Sequence, residues 1–221
     1  MLIDLSAIAQ TCSQDVHPTT MRAIMSVESA GNPFAIGVVG GKLVRQPASK
    51  AEAVATAKAL EKAGYNFSVG TSQVNRYNLN RYGLDYDKAF DLCANVKAGS
   101  SILRECYERA ARQFGAGQNA LRASFSCYYS GNFSTGFKPD FAGQPSYVQK
   151  VVNHSAPVAA SGAAYAVPAI DTTSAPAGVA PIPVVSVKPS KARTVRPKVV
   201  QAPDAAANTV TPASSDSAMV F

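Results

Sequence analysis

No run in this 221-residue chain approaches the roughly 18 consecutive apolar residues of a membrane span, which argues against stable membrane insertion. No segment alternates polar and apolar residues with a sustained period of two, so a sandwich or barrel is not expected. The cysteines, Cys12, Cys93, Cys106 and Cys127, have none of the spacings of a zinc finger. The basic residues are not interleaved with aromatics and match no nucleic-acid motif, so no nucleic acid is expected as a partner. Met1 to Ala9 is apolar but has no basic n-region and is too short for a complete signal peptide. An export signal is therefore not evident, and an exported protein would need a leader outside this sequence or another route.

What is present divides the chain in two. From about Ser155 onward aromatics nearly vanish, and Ala, Pro, Val, Ser and Thr take over. Such a stretch has few large side chains with which to build a core, so it is expected to be disordered or extended. The working domain is then residues 1–154, and residues 155–221 are a low-complexity tail. The net charge of +7 follows the same division. Five Lys/Arg against three Asp/Glu leave +2 on the tail and +5 on the domain. The tail cations crowd between Lys188 and Lys198, which reads either as a solvated linker or as a handle for an anionic surface.

Within the domain the apolar spacing is helical. Leu5, Ile8 and Cys12 share a stripe over residues 2–11 and just beyond, and Pro18 suits the first turn of a second helix. Phe34 to Gln46 is rich in Gly and Val and reads as a loop that can hold a short hairpin. Ser49-Lys50-Ala51-Glu52 is a capping box, and the Ala-rich helix it opens ends at Gly64. Val69 to Asn75 is polar and irregular, and Tyr77 to Arg81 suits one short helical piece. Val96, Ile102, Leu103, Cys106 and Ala110 predict a long central helix from Asp91 to Phe114. Leu121, Phe125 and Tyr128 mark another, halted by Gly131. Pro145 opens a last helix that carries Tyr147 and Val151. The domain is expected to be mainly α.

One carboxylate stands out. Met21, Ile24, Met25 and Glu28 fall at i, i+3, i+4 and i+7, one face of a helix whose stop signals are Gly31 and Pro33. An anion among Met and Ile side chains is costly, and the negative end of the helix dipole adds to that cost. A protonated glutamic acid in an apolar cleft is what a general acid requires. The alternative is a Glu28 turned to the helix edge and solvated. No second carboxylate has a motif around it; Asp85, Asp87 and Asp91 begin helices, where capping is the ordinary use. Gly70-Thr71-Ser72-Gln73-Val74-Asn75 offers a close backbone approach followed by amides able to grip sugar hydroxyls and N-acetyl groups.

The ordered set Glu28-Ser29-x-x-Asn32-Pro33, Gly70-x-x-Gln73, Asn95-x-x-Ala98-Gly99, Tyr128-x-x-Gly131 and Tyr147-Val148 resembles the soluble lytic transglycosylase family, of goose-lysozyme-like fold. The nearest branch is the lytic transglycosylase of VirB-type type IV secretion and conjugation systems. Val16-His17-Pro18, Asn32-Pro33-Phe34-Ala35-Ile36-Gly37, Arg45-Gln46-Pro47, Asn66-Phe67-Ser68-Val69-Gly70 and Ser130-Gly131-Asn132-Phe133 carry that likeness, which spans about residues 5–152. The resemblance implies a lysozyme-like single domain with Glu28 as its one catalytic acid/base. It implies Ser29, Gly70, Gln73, Asn75, Tyr128 and Tyr147 as substrate-binding residues. The implied reaction cleaves the MurNAc-GlcNAc β-1,4 bond of peptidoglycan and closes a 1,6-anhydro ring on MurNAc, with no metal or cofactor. His17 and His154 read as surface residues. The family usually has large apolar residues where Thr71 and Ser72 stand, and asparagine in place of Tyr129.

A wall substrate implies a periplasmic location, with glycan strands and periplasmic components of a secretion system as partners. The cysteines by themselves allow two bridges in three connectivities, or four buried thiols. Cys93 and Cys106 lie on one predicted helix roughly 20 Å apart, too far for a bond that needs Cα atoms within about 7 Å. With the periplasm implied, Cys12–Cys93 and Cys106–Cys127 are the expected pairs. Two other functions stay open at this point, a hydrolytic muramidase and a wall-binding assembly module without catalysis. The tail can in either case recruit partner subunits.

Overall fold

A computed structural model describes residues 3–155 and 180–186. Seven α-helices carry the domain: α1 (Leu5–Cys12), α2 (Pro18–Ser29), α3 (Lys50–Lys62), α4 (Tyr86–Ala89), α5 (Leu92–Phe114), α6 (Gln118–Ser130) and α7 (Tyr147–Ser155). Five short strands accompany them: β1 (Ile36–Val38), β2 (Gly41–Leu43), β3 (Phe67–Val69), β4 (Val74–Asn75) and β5 (Val184–Ser186).

Local chemistry accounts for the boundaries. Asp4, Ser49, Asp85 and Asp91 each cap a helix by accepting from a first-turn N–H, so Asp85 and Asp91 serve as caps, as expected. In the box that opens α3, Glu52 reaches back to the Ala48 N–H at 2.8 Å. A second box, not anticipated, opens α7. Ser146 N donates to Gln149 Oε1 at 2.9 Å, and Gln149 N donates to Ser146 Oγ at 3.2 Å. Helix α2 ends at Ser29 with Ala30 as its cap in the left-handed conformation (φ 52°), and Gly31 follows at φ 80°, the left-handed position expected of it.

The core gathers on α5. This 23-residue helix buries Val96, Ile102 and Leu103 in the same core as Met21, Ile24 and Met25 of α2, which are fully enclosed. The Cys12–Cys93 bridge ties α1 to the start of α5, and Cys106–Cys127 ties α5 to α6; these are the expected pairs. With 81 and 21 residues between their cysteines, both close substantial loops.

The small sheet departs from the reading of residues 34–46 as a loop able to hold its own hairpin, since β1 and β2 pair with β3 and β5, and of residues 69–75 as irregular. Strand β3 pairs antiparallel with both β1 and β4, so Phe67 to Asn75 is a tight β-hairpin. Three- and two-residue strands are too short to show alternation, which is why periodicity missed them. Strand β2 pairs with β5, from the segment assigned to the tail. There Ile182 is buried against the core, its N–H donates to Thr56 Oγ1 at 3.0 Å, and Val44 N–H donates to the Pro183 carbonyl at 3.1 Å. Residues 180–186 are therefore docked onto the domain rather than disordered. The remaining tail, 156–179 and 187–221, lies outside the described residues. Among the described residues no helix is long and apolar enough to cross a membrane.

Candidate active site

Glu28 sits in the last turn of α2, half-buried beyond its stripe of Met21, Ile24 and Met25. From α7 the Tyr147 hydroxyl donates to Glu28 Oε1 at 2.7 Å. The two residues are 119 positions apart, and the packing of α7 on α2 brings them together. Tyr128, near the end of α6, points its hydroxyl at the Ser72 carbonyl at 2.6 Å. Both phenols are buried, with 5 % of Tyr147 and 3 % of Tyr128 exposed. Burial, and then the neighbouring Glu28 carboxylate, push both phenols well above their usual ionisation range. Each therefore stays a donor where an ordinary phenol would begin to ionise. A phenol donating to one carboxyl oxygen fixes the rotation of that carboxyl, which a positioned acid needs.

The other expected substrate residues build the loop that carries the site. Ser29 Oγ donates to the Thr71 carbonyl at 2.8 Å, tying the end of α2 to this loop. Gly70 has φ +77°, and a Cβ there would lie 2.3 Å from Asn95 Nδ2. Its glycine is thus required by the protein's own packing rather than by the approach of a ligand. Gln73 also has positive φ, 48°, and its amide donates to the carbonyls of Ala35 (3.0 Å) and Gly70 (2.9 Å). Asn75 donates to Asn66 Oδ1 at 2.9 Å and accepts from Tyr77 N–H at 3.1 Å. These amides brace backbone, whereas Tyr147 bonds Glu28 directly. Polar side chains in a short loop can turn either to a ligand or to backbone, and the sequence pattern does not distinguish the two.

Asn95, quoted above only as part of a motif, is central to that brace. It accepts from Ser72 N–H at 2.7 Å and donates to the carbonyls of Val69 (3.0 Å) and Ala89 (2.8 Å). An asparagine on the apolar stripe of α5 was the available signal. Gly99, one turn on, lets the loop touch α5: a Cβ there would lie 2.5 Å from Ser72 Cβ. Thr71 and Ser72 are fully buried, and their hydroxyls have no hydrogen-bond partner among the described residues. Tyr129 stacks on Tyr147 with ring centroids 4.6 Å apart, and its hydroxyl donates to Asp140 Oδ1 at 2.7 Å. Nothing in the sequence pointed to Asp140. His17 and His154 are exposed and far from these contacts in role, His17 capping α2 through Nδ1.

Most of the chain that builds this site, Glu28 and the braced loop included, is matched by a family model. The model of the transglycosylase SLT domain matches residues 6–136. The chain belongs to the SLT transglycosylase family. This SLT domain is mainly helical and lysozyme-like, as the motif order implied. It is 58% identical over 152 residues to the type IV secretion system protein virB1 of Brucella suis biovar 1 (strain 1330), covering 68% of this chain and 63% of that one. It is 32% identical over 132 residues to the protein virB1 of Agrobacterium tumefaciens (strain 15955), covering 59% and 54%. The chain thus spans less than two thirds of the length of the curated relatives it matches. No solved structure matches it. Tyr147 lies beyond the SLT match, so the phenol on Glu28 comes from a helix outside the matched residues.

Proposed function

We propose that this chain is a peptidoglycan lytic transglycosylase with Glu28 as its single acid/base. The observation that carries the reading is the Tyr147 hydroxyl on Glu28 Oε1, in a domain of the SLT family. Glu28 gives its proton to the glycosidic oxygen between MurNAc and GlcNAc, and the bond to the anomeric carbon breaks. The resulting carboxylate then takes the proton of the MurNAc 6-hydroxyl, whose oxygen closes on the anomeric carbon. The acid is regenerated, the product ends in 1,6-anhydro-MurNAc, and no water is consumed. Tyr147 orients the carboxyl through both steps, and Tyr128 holds the backbone of the loop at Ser72.

A hydrolase ordinarily uses a second carboxylate, at about 5–5.5 Å for retention or about 6.5–9.5 Å for inversion. Asp140, linked to Tyr147 through the stacked Tyr129, accepts the Tyr129 phenol, an orienting task. The names of the relatives support a place in a type IV secretion system, where local opening of the wall would admit the assembling machine from the periplasm. Periplasmic subunits of that machine are the partners this implies.

The test is mass spectrometry of muropeptides released from purified sacculi by the wild type and by Glu28→Gln. Anhydro-MurNAc ends from the wild type alone support the proposal. Reducing ends would make the protein a muramidase, and binding to sacculi without release by either form would make it an assembly module.

A further inference from the structure

Glu28 is oriented by Tyr147, but the ring of Tyr147 is itself held by a third element. Tyr129, in the last turn of α6, lies almost parallel to it, with planes 17° apart and centroids 4.6 Å apart. The Tyr129 hydroxyl donates to Asp140 Oδ1 at 2.7 Å, and the Tyr147 hydroxyl donates to Glu28 Oε1 at the same distance. We propose that Tyr129, anchored by Asp140, is a positioning residue that holds the Tyr147 phenol on Glu28. The proposal rests on the reading of Glu28 as the acid.

The geometry favours this role over two others. A stacked ring restricts its neighbour's χ1 swing and ring tilt; the phenol oxygen of Tyr147 moves with χ1, and its O–H prefers the ring plane that χ2 sets. Tyr129 therefore controls the direction in which Tyr147 donates. Asp140 lies on the segment between the 3-10 turn Thr135–Phe137 and α7, a stretch whose Phe141 is exposed. Its bond to Tyr129 fastens that segment to α6 and fixes the ring at its far edge. As a substrate contact, Tyr129 would bond sugar rather than carry a charge-assisted bond to Asp140. As a second catalytic carboxylate, Asp140 would have to act while holding a phenol.

The experiment measures kcat and KM for release from sacculi by the full chain. Asp140→Ala and Tyr129→Phe are each expected to lower kcat about 10-fold, since small misplacements of a catalytic group cost that much or more. KM is expected to stay within about twofold, because uniform substrate binding is untouched. Asp140→Asn keeps an acceptor for the phenol and is expected to recover most of the loss. In a Tyr147→Phe background, Tyr129→Phe should cost less than about twofold more, because its effect runs through that hydroxyl. Equal losses for Asp140→Asn and Asp140→Ala would overturn the proposal in favour of a catalytic carboxylate. A raised KM with kcat kept would overturn it in favour of a substrate contact, and full additivity with Tyr147→Phe would do so as well. A second readout does not depend on turnover. The 13C signal of the labelled Tyr147 ring, assigned by its loss in Tyr147→Phe, should move in both Glu28→Gln and Asp140→Ala. A Tyr147 signal unmoved by Asp140→Ala sinks the positioning role, whereas a wild type that releases nothing from sacculi sinks the catalytic reading instead.

Discussion

Helix α6 presents aromatic surfaces at both of its ends, and the two differ in what stands beside the rings. At its C-terminal end Tyr128 and Tyr129 are packed among Tyr147, Glu28, Asp140 and the Ser72 carbonyl, and every phenol there is hydrogen-bonded. Toward its N-terminal end Phe114, Phe133 and Phe137 line an open groove of about 390 Å³ with Asn119, Arg122 and Ala123. Its rings have an edge-on contact, Phe114 with Phe133, but no carboxylate lines it. Aromatic area is thus common to both. What distinguishes the first is a half-buried carboxyl with a fixed partner beside a braced loop, the positioning that proton transfer needs.

Substitution at the two ends should separate them sharply. Glu28→Gln is expected to reduce release from sacculi by about 10²–10⁴-fold, the usual worth of a general acid, with the helical circular dichroism unchanged. Tyr147→Phe keeps the packing and removes one bond to a carboxyl acceptor, so a roughly 10- to 150-fold fall in kcat is expected from the roughly 1.5–3 kcal/mol that bonds to charged groups contribute. In the groove, Phe137→Ala truncates a side chain that is 46 % exposed, and activity is expected to stay within about twofold of wild type. A large loss from Phe137→Ala would erase the contrast.

Stability divides the ends in a second way. The bridge Cys106–Cys127 lies along the α5–α6 contact, whereas Cys12–Cys93 closes the longer loop, 81 residues against 21. Loop-closure entropy then gives the Cys12–Cys93 bridge about 1 kcal/mol more stabilisation. Urea unfolding of the paired Cys→Ser variants measures the difference, and a reversed order would show that packing at the α5–α6 end dominates. The smallest effect concerns pH. Tyr128 and Tyr147 are raised above the usual 10.0 in the folded chain, so both stay protonated while the unfolded chain ionises. Their contribution is fully present below pH 10 and is lost as pH rises beyond it. Alkaline melts should show this in the wild type and less of it in Tyr147→Phe, and an equal loss in both would detach it from the site.

Much of this was legible before folding. The α2 stripe with a carboxyl at its fourth position, the stop signals after it and the long apolar face of α5 are local patterns, and each appears where it was expected. The substrate roles given to Gly70, Gln73 and Asn75 were less legible. Their type and spacing were visible, but their bonds run to Asn95, Ala35 and Asn66, which only the folded backbone brings near. The docked strand shows the same limit. Val184 to Ser186 looks like the rest of an Ala/Pro/Val-rich stretch until β2 offers it an edge and Thr56 offers Ile182 an acceptor.

The sequence by itself determined the helical class, the cap and stop positions, and Glu28 as the carboxyl out of place on an apolar face. Periodicity, capping and the cost of a buried charge act within a few residues, so they can be read along the chain. Only the tertiary structure decided which side chain meets that carboxyl, which amides brace the loop, and that Asp140 and Tyr129 stand behind Tyr147. Those contacts join separate elements, and their partners are selected by packing rather than by neighbours in sequence.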